Sequence, residues 1–271
     1  MDITTISRAT ARITDHALRA KRAPARACRL ATVLTVMAVA TSAAQAATFQ
    51  VTSLADSGPG SLRAAIAAAN SSGGVADSIG FAVRGTITLA SRLPDIGDDL
   101  TIDGSGKDVT ISGNNAVQVL FVRAGKTLEL RALRIADGFC ASPCSGGGVL
   151  NAGTLNVFDT AFVGNAALLG GAIHNFGTLR VSGSRFVANS ARFGGAIHNF
   201  DTLSVSSTQF INNAAARAGG AIYNFDALSV DGSVFSGNSA VVAGGDIADA
   251  AGTSTATVAR DTLSTAVVAG R

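Results

Sequence analysis

The 271-residue chain has no Trp, one Tyr (Tyr223) and one Glu (Glu129). A glycan site built on tryptophan stacking is therefore excluded, and so is a catalytic pair of glutamates. Charged residues make up 14%, against about 25% in an ordinary globular chain. Proline is scarce, at 4 residues, and the 31 glycines follow no three-residue period, which excludes a collagen helix. Hydrophobic residues reach 47%, too many for an intrinsically disordered chain. A net positive charge is missing from the body. Residues 1–46 hold seven Lys/Arg against two Asp, whereas the 225 residues that follow hold 14 Lys/Arg against 16 Asp/Glu. Without a basic patch there, nucleic acid is not an expected partner. P-loop, dinucleotide and Ser-His-Asp signatures are also absent.

Long apolar runs are lacking too. The longest, residues 30–40, falls short of the roughly 20 residues that cross a bilayer as a helix. Lys21, Arg22, Arg26 and Arg29 precede it, and small residues follow up to Ala44-Gln45-Ala46. This order reads as a secretory signal peptide cleaved between Ala46 and Ala47. An uncleaved anchor is the alternative. The mature chain then has no transmembrane segment. Of the three cysteines, Cys28 leaves with the leader and Cys140 and Cys144 remain, in Cys-Ala-Ser-Pro-Cys. An oxidising compartment favours a small-loop disulfide, with two free thiols as the alternative.

What is abundant is repetition. Gly-Gly pairs fall at 146/147, 170/171, 194/195, 219/220 and 244/245, a period of 24 or 25. Five columns move with them. They are Asn151, Asn175, Asn199 and Asn224; Leu155, Leu179, Leu203 and Leu228; Val157, Val181, Val205 and Val230; Phe162, Phe186, Phe210 and Phe235; and Asn165, Asn189, Asn213 and Asn238. The unit after Gly244 is degraded, with Asp249 and Ala266 at the two asparagine positions. Helical repeats are longer than this period, and the Leu-x-x-Leu-x-Leu run of a leucine-rich repeat is missing. Short alternating segments such as 178–182 read as strands. The period therefore predicts an all-β, single-stranded parallel β-helix. Each unit is one coil, and coils stack about 4.8 Å apart. Apolar columns fill the interior, and asparagine columns pass amide hydrogen bonds from coil to coil. Irregular β runs at 78–83, 86–89, 100–102, 109–111, 119–122, 128–130 and 133–135 extend the pattern to seven or eight coils. Residues 47–76 differ. Ser61 can N-cap a short helix through about Asn70, stopped by Gly73-Gly74. Laid across the end of the rod, it would cover an exposed strand edge. The expected organisation is a leader at 1–46, an N-terminal cap at 47–76, irregular coils at 77–145 and regular coils at 146–271.

The Gly-Gly-Ala-Ile tetrads at 170–173, 194–197 and 219–222, interleaved with Phe-x-x-Asn at 162–165, 186–189, 210–213 and 235–238, resemble the repeats of polymorphic outer membrane proteins. The stretch 55–66 is similar to the N-terminal Cys-Ser-Leu-Arg-Glu-Ala segment of secreted β-helix proteins, with Gly60 for the cysteine and Ala64 for the glutamate. The resemblance implies a right-handed, pectin-lyase-like parallel β-helix at the cell surface or in the cell envelope, associated with the outer membrane. It also implies an adhesin-like role.

Three groups of residues are candidates for chemistry. Asp95, Asp98, Asp99 and Asp103 could bind a hard cation such as Ca²⁺ through carboxylate oxygens, or could be a solvated turn. Arg123, Lys126, Arg131 and Arg134 could line a substrate groove or a solvated face. His174 and His198 share a column one coil apart, continued by Tyr223. They could hold a metal or an acidic ligand, or could be exposed residues copied with their repeat. Phe176, Phe200 and Phe225 form a further column, either an external aromatic strip or core and corner stacking. A catalytic site needs unlike residues converging, whereas this body replicates like residues along a rod. The expected role is therefore a non-catalytic surface protein that binds an extracellular glycan or a surface protein. No catalytic residue, resident metal or cofactor is assigned. A polysaccharide lyase or hydrolase using the Asp95–Asp103 region or the basic stretch is the alternative. A truncated autotransporter passenger is a third reading.

Overall fold

The computed structural model describes residues 45–141 and 143–250, and the backbone of 255–258 and 265–267. The leader expected at 1–46 lies outside these residues except for its last two. Residues 43–271 form one compact unit. It is a β-solenoid of about 7 coils. One regular coil comprises Thr178–Ser182, Arg185–Val187, Ser190–Phe193 and Ile197–Asn199. Each strand pairs in parallel with its counterparts one coil away. Leu179 lies against Leu203, Phe186 against Phe210 and Ile197 against Ile222. The first two strands of every coil build one 15-stranded sheet. Its path runs along one face, crosses at Leu228–Ser236 and returns along the other. The remaining strands form a 5-stranded and a 7-stranded sheet.

Alternation decides which side chains enter the rod. Within Thr178–Ser182, Leu179 and Val181 are buried while Arg180 is exposed. On the second face the Phe162, Phe186, Phe210 and Phe235 rings stack at 4.9, 4.9 and 4.8 Å, fully enclosed. That is the coil spacing itself, so each ring fills the gap its neighbours define. The Gly-Gly pairs serve two needs. Gly194 has φ +62°, where an L side chain is strained, and a Cβ on Gly195 would collide with the carbonyl oxygen of Gly220 in the next coil.

Two asparagine ladders close the bends. Asn151 Nδ2 donates to Asn175 Oδ1 (2.6 Å), Asn175 to Asn199 (2.7 Å) and Asn199 to Asn224 (2.8 Å). Asn224 then donates to Asp249 (3.1 Å). In the second ladder Asn165, Asn189 and Asn213 each donate to the next asparagine at 2.9 Å, and Asn238 donates to Asp246. A third, hydroxyl ladder was not foreseen. The amides of Thr160, Ser184 and Thr208 donate to the side-chain oxygens of Ser184, Thr208 and Ser233.

The start of the rod is covered. Ser61 caps helix α1, Leu62–Ser72, accepting from the Ala64 amide at 3.2 Å, and Gly73 (φ 65°) ends it. Leu62, Ala65, Ile66 and Ala69 face the core. Strand β1, Thr48–Val51, was not expected. It pairs in parallel with Asp77–Phe81 and adds a first rung beneath the helix. The degraded end corrects one expectation. Thr265–Val267 pairs with Ile247–Asp249, which places Ala266 beside Ala248. Ala266 thus stands in the column of His174, His198 and Tyr223, not in an asparagine column. The step from Ala248 to its partner Ala266 is shorter than the period of 24 or 25 residues, so a fixed period misassigns the register there. Among the described residues no helix is long and apolar enough to cross a membrane.

Candidate functional site

The outer side of the 7-stranded sheet carries the histidines. Alternation points Ile173 inward and His174 outward, then Asn175 turns into the corner and Phe176 out again. The next two coils repeat this with His198 and Phe200, then Tyr223 and Phe225. Backbone bonds from Phe176, Phe200 and Phe225 to the preceding coil's asparagine carbonyls, at 2.8–2.9 Å, fix each phenylalanine at the corner.

Exposure is the opposite of the simplest expectation. His174 and His198, on the outer face, are each 2% exposed. The three phenylalanines are 51%, 39% and 40% exposed. They form an external strip, stacked nearly parallel at 5.2 and 4.7 Å. The reading of His174 and His198 as exposed copies is corrected, because the strip walls them in. His174 lies 4.2 Å from the Phe176 ring and 5.6 Å from Phe200. His198 lies 4.7 Å from Phe200 and 5.6 Å from Phe225. Tyr223 sits 5.3 Å beyond His198 and is itself packed on Phe193 at 5.0 Å. The two imidazoles meet edge to face at 4.9 Å. Both nitrogens of His174 and Nδ1 of His198 have no hydrogen-bond partner. Burial pulls His174 down to about 4. Burial and then His174 itself pull His198 down to about 3. Both rings are neutral at pH 7. Among the described residues no group of three or more His, Cys, Asp or Glu is arranged to hold a metal ion.

Parallel stacking limits what the strip can bind. Ring faces point along the rod, and those of Phe200 are covered by its two neighbours. A sugar packs on a ring face; the stacked strip leaves such faces only at its two ends, on Phe176 and Phe225, and presents ring edges along its length. The exposed carboxylates of Asp201 and Asp226 follow Phe200 and Phe225 along the corner. The surface is thus an apolar ridge with an acidic border.

Two of the aspartate candidates pair with two of the basic ones, and the eight residues do not converge on one site. Asp95 accepts from Arg92 (2.8 Å) and Arg123 (3.1 Å), and Asp98 from Lys126 (2.9 Å). The Lys126 hydrogen bond holds the Asp98 carboxyl below its usual range and raises Lys126 in turn. Asp99 accepts from the Thr127 amide and Asp103 from the Ser105 amide. Arg131 pairs with Glu129, which raises its pKa, and lies 4.7 Å over the Phe158 ring. Arg134 alone of the basic group points elsewhere, into an open groove of about 450 Å³ shared with Arg84, Lys107, Asp108 and Asp159. Sequence reasoning named Arg134 but missed the groove, because Arg84, Lys107, Asp108 and Asp159 come from three further coils and belong to none of the five repeat columns. Cys140 and Cys144 are joined as a disulfide.

No curated protein matches the chain. The sequence profile of the Chlamydia polymorphic membrane protein repeat matches residues 207–224, a stretch that runs from the buried Phe210 and Asn213 through Gly219-Gly220-Ala221-Ile222 to Asn224.

Proposed function

We propose that the protein is secreted, displayed at the cell surface and non-catalytic, and that it binds an apolar segment of a protein partner along the Phe176–Phe200–Phe225 strip. The carrying observation is the strip itself: three aromatic rings held half-exposed by a rigid ladder. Large apolar rings are normally enclosed, and contiguous exposed ones mark interaction sites. The repeat match at 207–224 supports a surface setting, because the matched family is one of membrane proteins. Ring edges, in place of ring faces, favour a protein over a glycan.

One observation favours a second reading. The groove beneath Arg134 gathers carboxylates and cations in one place, which a polysaccharide-processing enzyme needs. Counting new reducing ends separates the readings. Residues 47–271, incubated with acidic and neutral polysaccharides with and without Ca²⁺, should release none. Turnover abolished by Arg134→Ala or Asp159→Ala would replace the binding reading with the enzyme. Protease shaving of intact cells tests display: the protein should be removed without lysis, and full protection would contradict surface exposure.

A further inference from the structure

Asp77 is 3% exposed. Its Oδ1 accepts from the backbone nitrogen of Ala47 at 2.7 Å, and its Oδ2 from the Ser72 hydroxyl. Both are neutral donors in the chain as it stands. No Lys, Arg or His of the described residues is within ion-pair distance of it. A carboxylate buried without a counter-charge is costly, and such groups are normally paired. The other buried carboxylates, Asp246 and Asp249, lie at the opposite end, on the asparagine ladders.

The sequence marks Ala47 as the first residue after signal cleavage. We propose that Asp77 is the receptor for the α-ammonium group released at Ala47, so that processing creates the ion pair which latches β1 and the helical cap onto the first coil. Hydrolysis of the Ala46–Ala47 peptide bond consumes one water. The C–N bond breaks, Ala46 leaves with the new carboxylate, and the Ala47 nitrogen becomes an ammonium with three donors. It needs no movement to meet its partner. β1 is paired in register with Asp77–Phe81, Thr48 opposite Ser78, and the Ser78 amide already donates to the Ala47 carbonyl at 2.9 Å. The register therefore sets residue 47 opposite residue 77. Ser72 is the last residue of α1, so the site also lies by the negative end of the helix dipole, which favours a cation. The other charged groups nearby are committed elsewhere. The Asp99 carboxylate accepts from the Thr127 amide, Asp98 is paired with Lys126, and Arg63 of the helix is paired with Asp56. This inference rests on the cleavage site and is independent of the binding reading.

The test compares residues 47–271, released from a fusion with a free Ala47 amine, with residues 44–271, in which that nitrogen stays an amide. At pH 7 the free-amine chain should melt about 5 °C higher. An ammonium gains its partner only on folding. Its contribution is complete below the ordinary α-amino pKa of about 8 and is lost as pH rises through the raised folded value. The gap should therefore close at high pH, and Asp77→Asn should abolish it at pH 7. Equal melting at pH 7, or a gap that survives both alkaline pH and Asp77→Asn, would overturn the proposal. Should the variant not fold, the pH arm decides alone. The full chain, exported from a bacterial host, should begin at Ala47; any other first residue would also overturn it.

Discussion

Mild acid should weaken this protein through two side chains. His174 and His198 are enclosed and neutral in the fold, with values of about 4 and about 3, whereas an unfolded histidine titrates near 6.5. The unfolded chain therefore binds more protons than the folded one below pH 6.5. Stability is complete above that value and falls with pH until the folded values are reached. Each pH unit in that window removes about 1.4 kcal/mol per histidine. At pH 5.0 the pair has lost about 4 kcal/mol, which for a chain of this size lowers the melting temperature by about 10 °C. The window is clean, because the chain's third histidine, His16, precedes residue 47 and no other ordinary side chain titrates between pH 5.0 and 7.5. Thermal unfolding of residues 47–271, followed by circular dichroism, reads the effect. His174→Leu with His198→Leu, a residue the column already accepts at Leu150, should flatten the dependence. A melting temperature that is constant from pH 7.5 to 5.0 would refute the reasoning, as would the same slope in the double variant.

Other expected outcomes follow from the ladders. Phe186→Ala opens a cavity between two stacked rings and should cost about 4 kcal/mol, measured by urea unfolding. Asn189→Ala removes four hydrogen bonds, to the Phe162 carbonyl, to Asn213 and from the Asn165 amide and side chain. It strands buried partners and should cost about 3 kcal/mol by the same assay. Gly195→Ala drives a methyl group into the next coil and should yield insoluble or protease-sensitive protein, against a wild-type control in limited proteolysis. Phe200→Ser should cost less, about 1 kcal/mol of stacking. By admitting water to both histidines it should raise their titration toward 6.5, visible in proton chemical shifts.

How much of this was legible depended on whether neighbours in space were copies in sequence. From residue 146 onward, a residue's neighbours are its own repeats. The Leu, Val, Phe and Asn columns therefore announced both the coil and the side each residue faces. The hydroxyl ladder escaped notice because Thr160, Ser184, Thr208 and Ser233 alternate in identity while keeping one chemistry. The early coils were harder. Asp95 meets Arg123, and Asp98 meets Lys126, at a separation of 28, not 24. Two charge clusters that looked like separate candidate sites are thus tied by two ion pairs, while Arg131 pairs with Glu129 and Arg134 faces the groove. Histidine burial was not legible either. Alternation correctly puts His174 and His198 on the outer face, but what encloses them is a different column, Phe176, Phe200 and Phe225, raised at the corner. Their exposure depends on a wall that sequence periodicity does not measure.

The central claim is that the phenylalanine strip is a contact surface and not displaced core. Its most direct test is binding of fluorescently labelled residues 47–271 to intact bacterial and animal cells, as separate arms, beside the Phe176→Ser, Phe200→Ser, Phe225→Ser variant. The account predicts saturable binding to one cell type that falls at least about tenfold in the variant, while β-sheet content is retained. A variant that binds as well as wild type would contradict it, and so would a variant that loses the solenoid itself.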